Sequence, residues 1–196
     1  MVVLDRTTAR RPLPDVARAA ISGGADMVQI REKDLNTHAL RSIVEAVIEA
    51  VSGAANVSIN GDPALAREFG TSLHLPERIE GDRTNLLLDE RALLGRSLHS
   101  EDIDWSAEEV DYLILGNVLE TVSKPGKPGL GVNCFAAMVC RFSVPVLAIG
   151  GIRPETVSIA FEAGAYGVAV SSYVNSAEDP ARAAREIRDQ IDAWMK

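Results

Sequence analysis

The stretch VPVLAIGGIRPETVSIAFEAGAYGVAVSS, residues 144–172, decides the fold. Val144 to Ile149 is a largely apolar run of strand length that ends in Gly150-Gly151. Arg153-Pro154 opens a helix that stops at Ala163-Gly164, and Tyr166 to Val170 is a second apolar strand, followed by Ser171-Ser172. Proline at the first helical turn and glycine just past the last are the expected punctuation. Two strands of buried character joined by one helix form a βαβ unit, whose right-handed crossover sets the strands parallel.

The same alternation runs outward from this unit to both ends of the chain. Upstream, Met27 to Ile30 reads as a buried strand, and Leu40, Ile43, Val44, Val47, Ile48 and Val51 repeat at helical spacing. Asn56 to Asn60 is the next strand; Asp62-Pro63 then caps and starts a helix that ends at Gly70. Ser72 to Leu75, Leu94 to Leu98 and Val110 to Leu115 are further strands, with a polar, acidic and helical segment from Ser100 to Glu109. A weak first strand, Val2–Leu4, precedes a helix after Pro14. Downstream, Asp179-Pro180 begins a final helix whose Ala184, Ile187, Ile191 and Trp194 share one face.

These segments make eight βα units, which close most naturally into an α/β, single-domain (β/α)8 TIM barrel over residues 1–196. The fourth helix, within Pro76 to Ala92, is the least distinct. An open doubly wound sheet is the alternative fold, but no G-x-G-x-x-G follows an early strand.

Composition narrows the function. Hydrophobic residues are 46% and charged residues 24%, as in an ordinary globular chain, and the net charge of −8 argues against nucleic acid or an anionic membrane as partner. No run approaches the roughly 18 apolar residues of a membrane span, and the N-terminus carries no signal-peptide core, so a cytoplasmic protein is expected. Cys134 and Cys140 are too few for a disulfide framework or structural zinc and read as small core residues.

Chemistry in such a barrel sits at the C-terminal ends of the strands. Those ends carry Gln29, Arg31, Lys33, Asn60, His74, Ser97, His99, Asn117, Glu120, Thr121, Ser123 and Lys124. Gly150-Gly151 and Ser171-Ser172 follow strands seven and eight, where backbone N–H groups of such barrels commonly hold phosphate. A tight strand-to-helix turn is the plainer reading of the two glycines. Arg31 and Lys33 suit a second anionic group, or a surface ion network with Glu32 and Asp34. Thr121 to Gly131 has the composition of a mobile cover or a solvated turn. His99 is placed either to transfer protons or to brace the fold; His74 reads as structural, His38 as surface, and Asp62 as a helix cap rather than a metal ligand.

Gln-Ile-Arg-Glu-Lys-Asp (29–34), Asn60-Gly61, Gly95-Arg-Ser-Leu-His-Ser100, Gly116-Asn-Val-Leu-Glu-Thr121 with Lys124, Ala148-Ile-Gly-Gly-Ile152 and Glu162 to Ser172 together resemble the thiamine phosphate synthase/TenI superfamily. The resemblance implies a barrel of that type that binds a thiazole phosphate in thiamine biosynthesis. Against the synthases it matches Arg31, Lys33, Asn60, Ser97, Thr121, Ser123 and Lys124, which there grip pyrophosphate and pyrimidine. The two aspartates that hold Mg2+ in synthases are replaced by Gly61 and, near Ile79, by Pro76-Glu-Arg-Ile79.

On that ground, and because Asn60-Gly61, Leu75-Pro76, the Gly-Arg-Ser-x-His-Ser run (95–100) and Glu120-Thr121 look like TenI proteins, the resemblance favours a TenI-type thiazole tautomerase, an isomerase that shifts a proton on a carboxythiazole phosphate. Gly150, Gly151, Ser171 and Ser172 would anchor the phosphate and Arg31 and Lys33 the carboxylate. The tautomerase histidine is Asn117 here, so His99 or Glu120 would carry the proton and Asn117 would orient the substrate. No metal or cofactor is then expected, Mg2+ entering only with the synthase. The alternatives are a thiamine phosphate synthase, a transferase joining pyrimidine pyrophosphate and thiazole phosphate, and a non-catalytic precursor-binding protein. The partner in each case is a small phosphorylated heterocycle, with homo-oligomerisation an open option.

Overall fold

The computed structural model describes residues 1–77, 86, 88–99, 110–121 and 129–196. Eight parallel strands stand side by side in chain order: β1 (Val2–Leu4), β2 (Met27–Ile30), β3 (Asn56–Asn60), β4 (Ser72–Leu75), β5 (Leu94–Leu98), β6 (Tyr112–Gly116), β7 (Val146–Ile149) and β8 (Gly167–Ala169). Val3 N–H donates to the Val170 carbonyl at 2.8 Å, and Val170 N–H donates to the Met1 carbonyl at 3.1 Å. These bonds join the last strand to the first and close the sheet into a TIM-type barrel.

Helices alternate with the strands: α1 (Leu13–Ser22), α2 (Thr37–Val51), α3 (Pro63–Phe69), α4 (Val132–Val139), α5 (Val157–Glu162), the short α6 (Ser172–Asn175) and α7 (Pro180–Trp194). Their starts are set by side chains that satisfy otherwise unpaired N–H groups. Asn36 accepts from Ala39 N–H at 2.9 Å, Asp62 from Leu65 N–H at 3.0 Å, and Asp179 from Ala181 and Arg182 N–H at 3.1 and 3.0 Å. The helical stripe read on α2 is its buried face: Leu40, Val44, Val47 and Val51 are buried, with Ile43 and Ile48 packed beside them.

Most of the core lies between strands and helices, joining Val28, Ile59, Leu73 and Leu115 to Val16, Val44 and Ile187. A second cluster of Val3, Met27, Tyr112, Ile114 and Ala169 fills the barrel's interior. No helix among the described residues is long and apolar enough to cross a membrane.

Several boundaries differ from the sequence reading. The sixth strand begins at Tyr112 rather than Val110, because the Asp111 carboxylate turns back to accept from Leu94 N–H at 2.6 Å. The seventh begins at Val146, after Pro145, which has no N–H to give to a ladder. The helix from Pro154 starts with a 3-10 turn, Pro154–Thr156, before α5. Cys134 does pack against the core, but Cys140 is exposed at the end of α4. Trp194 is 44% exposed and leans on the Phe161 ring, centroids 6.1 Å apart, rather than sinking into the core. The helices expected within 76–92 and over 100–109 fall largely outside the described residues.

Candidate active site

A cavity of about 1200 Å³ opens at the C-terminal ends of the strands. Arg31, Lys33, Asn60, Ser97, His99, Asn117, Glu120, Thr121, Gly150, Gly151, Ser171 and Ser172 all line it. Ser123 and Lys124 lie outside the described residues. The barrel therefore brings together groups that lie far apart in sequence, from Arg31 to Ser172.

The side formed by β1 and β2 is cationic but held by acids. Arg31 is half-buried, and its guanidinium stands 4.0 Å from the Asp5 carboxylate. Burial pulls the Arg31 pKa down, and Asp5 and then Glu32 pull it back up. Arg6 clasps the same turn from outside, 3.0 Å from Glu32, whose carboxylate also accepts Arg6 N–H at 2.8 Å, and in contact with Asp34. Glu32 and Asp34 thus do form an ion network, but with Arg6; Arg31 is left facing the cavity with Asp5. Burial is the main influence on Glu32 and raises its pKa, with the Arg6 bond opposing it.

The side formed by β7 and β8, which adjoins β1, is built from backbone. Gly150 and Gly151 have φ of +96° and +71°, values that favour glycine. A Cβ on Gly150 would lie 2.5 Å from Asn117 Cβ, and one on Gly151 2.6 Å from Leu119 Cβ. The turn is pinned by Thr156, whose hydroxyl is 3.0 Å from the Gly151 carbonyl and accepts Arg153 N–H at 2.9 Å. Beside it, after the neighbouring β8, the Ser171 hydroxyl accepts from Asn175 Nδ2 at 3.1 Å, and Asn175 also donates to the Val3 carbonyl at 2.9 Å. Thr156→Val keeps the side-chain shape but removes both contacts. It is expected to cost about 1 kcal/mol in urea unfolding.

Between these sides stand His99 and Asn117. His99 Nδ1 bonds the Gly116 carbonyl, and its backbone N–H donates to Glu77 at 2.6 Å. The far end of the Thr121–Gly131 loop is anchored by Leu130 N–H to Asn117 O at 2.7 Å and Gly131 N–H to Val118 O at 3.0 Å.

Beneath them lies a polar floor made of strand-end residues already named, Gln29, His74 and Ser97. Gln29 is 2% exposed, lines the cavity, and its Nε2 has no hydrogen-bond partner. His74 is fully buried, with Nε2 2.7 Å from Ser97 Oγ. Its pKa falls to about 3, first through burial and then through the charges of Arg31, Arg96 and His99. Because the unfolded chain protonates this ring near pH 6.5, the folded state loses stability progressively as pH drops from about 6.5 towards 3. His74→Gln is expected to flatten that part of the stability–pH curve, as read from urea midpoints between pH 4 and 7.

The residues present do not fit a magnesium ion where the synthase resemblance would place one. Gly61, with φ +77°, offers no ligand. The neighbouring Asp62 carboxylate is committed to capping α3 and lies 3.3 Å from the Thr37 hydroxyl. Ile79 lies outside the described residues. Among the described residues no group of three or more metal-ligating side chains comes together.

The thiamine monophosphate synthase family matches residues 1–174 of this chain. The chain is 32% identical over 196 residues to a thiamine-phosphate synthase of Thermobifida fusca (strain YX), covering 96% of this chain and 90% of that protein. It is 34% identical over 200 residues to one of Methanoculleus marisnigri, covering 98% and 94%. A solved structure of thiamine phosphate pyrophosphorylase from Pyrococcus furiosus superposes with a TM-score of 0.86 at 24% identity, covering 100% of this chain and 96% of that one, and shares its fold.

The relatives overturn the expectation of a thiazole tautomerase, and with it the isomerase assignment. That expectation rests on two missing carboxylates, at Gly61 and Ile79, and on short TenI-like motifs, whereas the likeness to synthases spans nearly the whole chain. The tautomerase histidine is also absent, since Asn117 carries an amide that does not exchange protons near neutral pH. The proton-carrier roles given to His99 and Glu120 fall with it. By sequence and by architecture, the chain belongs to the thiamine monophosphate synthase family.

Proposed function

We propose that this protein is a thiamine-phosphate synthase, a transferase that joins a pyrimidine pyrophosphate to a thiazole phosphate. In that reaction the carbon–oxygen bond to pyrophosphate breaks, a carbon–nitrogen bond to the thiazole ring forms, and pyrophosphate leaves with the electron pair. The observation that carries the reading is the cavity's size with its two unlike ends. At about 1200 Å³ it exceeds the roughly 300–1,000 Å³ usual for one small ligand, which suits two substrates held together.

The backbone end, with Gly150, Gly151, Ser171 and Ser172, is suited to the thiazole phosphate, because glycine lets N–H groups approach an anion. The cationic end, with Arg31 and Lys33, is suited to the pyrophosphate; Arg31 can meet two oxygens at once. Asn60 and Ser97 lie between the ends, where the pyrimidine ring would rest, and Thr121 stands at the rim. His99, Asn117 and Glu120 complete the wall, with His99 held through Nδ1 by the Gly116 carbonyl. Holding both reactants in one pocket replaces a bimolecular encounter by a local one, an effect worth up to about 7–11 kcal/mol of barrier.

Calorimetric titration tests this arrangement. Thiazole phosphate should bind with one-to-one stoichiometry to protein already saturated with an unreactive pyrimidine pyrophosphate analogue. Mutually exclusive binding would overturn it.

A further inference from the structure

A buried side-chain relay runs under the cavity floor and ends at Ser97. In the barrel register, His74 of β4 pairs with Gly95 of β5, and Gly95 pairs with Tyr112 of β6. The middle strand contributes no side chain at that level. A Cβ on Gly95 would lie 2.1 Å from Tyr112 Cζ, so the glycine is what allows the tyrosine ring to lie across β5. The His74 and Tyr112 rings thereby come within 5.7 Å, centroid to centroid, and the tyrosine oxygen is 3.3 Å from His74 Nδ1. On its other edge His74 Nε2 is 2.7 Å from Ser97 Oγ, and Ser97 faces the cavity.

The chemistry of the groups sets the direction of the hydrogen bonds. A phenol is a good donor and a weak acceptor, so Tyr112 O–H donates to Nδ1. Burial keeps Tyr112 un-ionised by raising its pKa. The Ser58 hydroxyl and the Gln29 amide adjoin the tyrosine oxygen and oppose that rise as donors, although neither Ser58 Oγ nor Gln29 Nε2 reaches full hydrogen-bond geometry. With Nδ1 accepting, the neutral imidazole carries its hydrogen on Nε2 and donates it to Ser97 Oγ. The serine's own hydrogen is then turned away from His74, towards the cavity.

We propose that His74 is a positioning residue: fixed by Tyr112 in the Nε2–H form, it presents the Ser97 hydroxyl as a donor to an uncharged acceptor, a ring nitrogen of the pyrimidine substrate. The inference rests on the synthase reading for its ligand. The relay brings no charge to the cavity, so it adds no attraction for phosphate beyond what a neutral hydroxyl has. It selects for an acceptor at one place, whereas Arg31 and the glycine turn supply the attraction for anions.

Nitrogen-15 NMR of the histidine-labelled protein, combined with kinetics, tests this. His74 should show Nε2 protonated and Nδ1 bare, without titrating between pH 5 and 8. Tyr112→Phe should mix the two tautomers and raise KM for the pyrimidine pyrophosphate about 10-fold, the scale of one lost hydrogen bond, with KM for thiazole phosphate unchanged. Ser97→Ala should give a similar rise, and the double variant no more than either alone, because the residues act as one chain. If Tyr112→Phe does not fold, the comparison passes to His74. His74→Gln, whose amide can still donate to Ser97, should recover most of the affinity lost in His74→Leu. A protonated Nδ1, fully additive single effects, or equal losses in the His74 pair would overturn the proposal. Should no condensation product form while the Nε2–H form is present, the synthase reading fails and not the relay. The same variants are then read by the dissociation constant of the pyrimidine pyrophosphate.

Discussion

Ser171→Asp is expected to abolish binding of thiazole phosphate, lowering affinity at least about 100-fold. Ser171 is half-buried at the end of β8, the strand next to the one that ends in the Gly150-Gly151 turn, and lines the cavity. A carboxylate there would stand within a few ångströms of the substrate's phosphate. At an effective dielectric near 20, two unit charges about 4 Å apart repel by roughly 4 kcal/mol, and solvent at the open mouth reduces this to part of that value. The new side chain would also disturb the contact from Asn175 Nδ2 that fixes the serine. Isothermal titration reads the effect directly. Ser143→Asp, which adds the same charge on an exposed residue outside the cavity, should bind as the parent does. Equal affinity in Ser171→Asp and the parent would remove this serine from the phosphate seat.

Gly150→Ala should be strongly destabilising, costing about 3 kcal/mol or more. Two effects add. The backbone φ of +96° disfavours any side chain, and the added methyl would overlap Asn117, 2.5 Å from its Cβ and 2.7 Å from its Cα. Neither contact is the free end of a flexible chain, so β6 and its loop would have to move. Gly53 supplies the comparison within the same protein. Its φ is +74° but nothing lies within 4 Å of a Cβ there, so Gly53→Ala should cost only about 1 kcal/mol. Urea unfolding of the two variants separates conformational strain from steric overlap. A Gly150→Ala loss no larger than that of Gly53→Ala would mean that the turn is not packed against Asn117.

The strands were legible because a parallel sheet buried on both faces writes itself as apolar runs, as at Val28, Ile59 and Leu115. Their ends were less so. Asp111 and Pro145 stand second in the runs from Val110 and Val144, yet one diverts its carboxylate to Leu94 and the other lacks a donor. Most of the site was legible for a topological reason, since a barrel gathers the residues that follow its strands. Arg31, Ser97, Asn117 and Gly151 meet in one cavity although long stretches of chain separate them.

What escaped the sequence reading depends on neighbours across strands. Tyr112 looks like one more apolar position in β6. Only the register that sets it beside Gly95 and His74 reveals its hydroxyl as part of the floor. Thr156 looks like an ordinary helix residue until its hydroxyl is found on the Gly151 carbonyl. The choice of activity failed for a different reason. Absent carboxylates at two positions and short motifs such as Gly95–Ser100 are local features, whereas the likeness to synthases extends over nearly the whole chain.

The most direct test of the account is to supply the purified protein with pyrimidine pyrophosphate and thiazole phosphate together and follow both products. Thiamine phosphate and pyrophosphate should appear in equal amounts, at a rate proportional to protein, and Arg31→Ala should reduce that rate at least about 100-fold through loss of a charge-assisted contact and of substrate orientation. Occupancy of both substrates without product above the protein-free rate would contradict it.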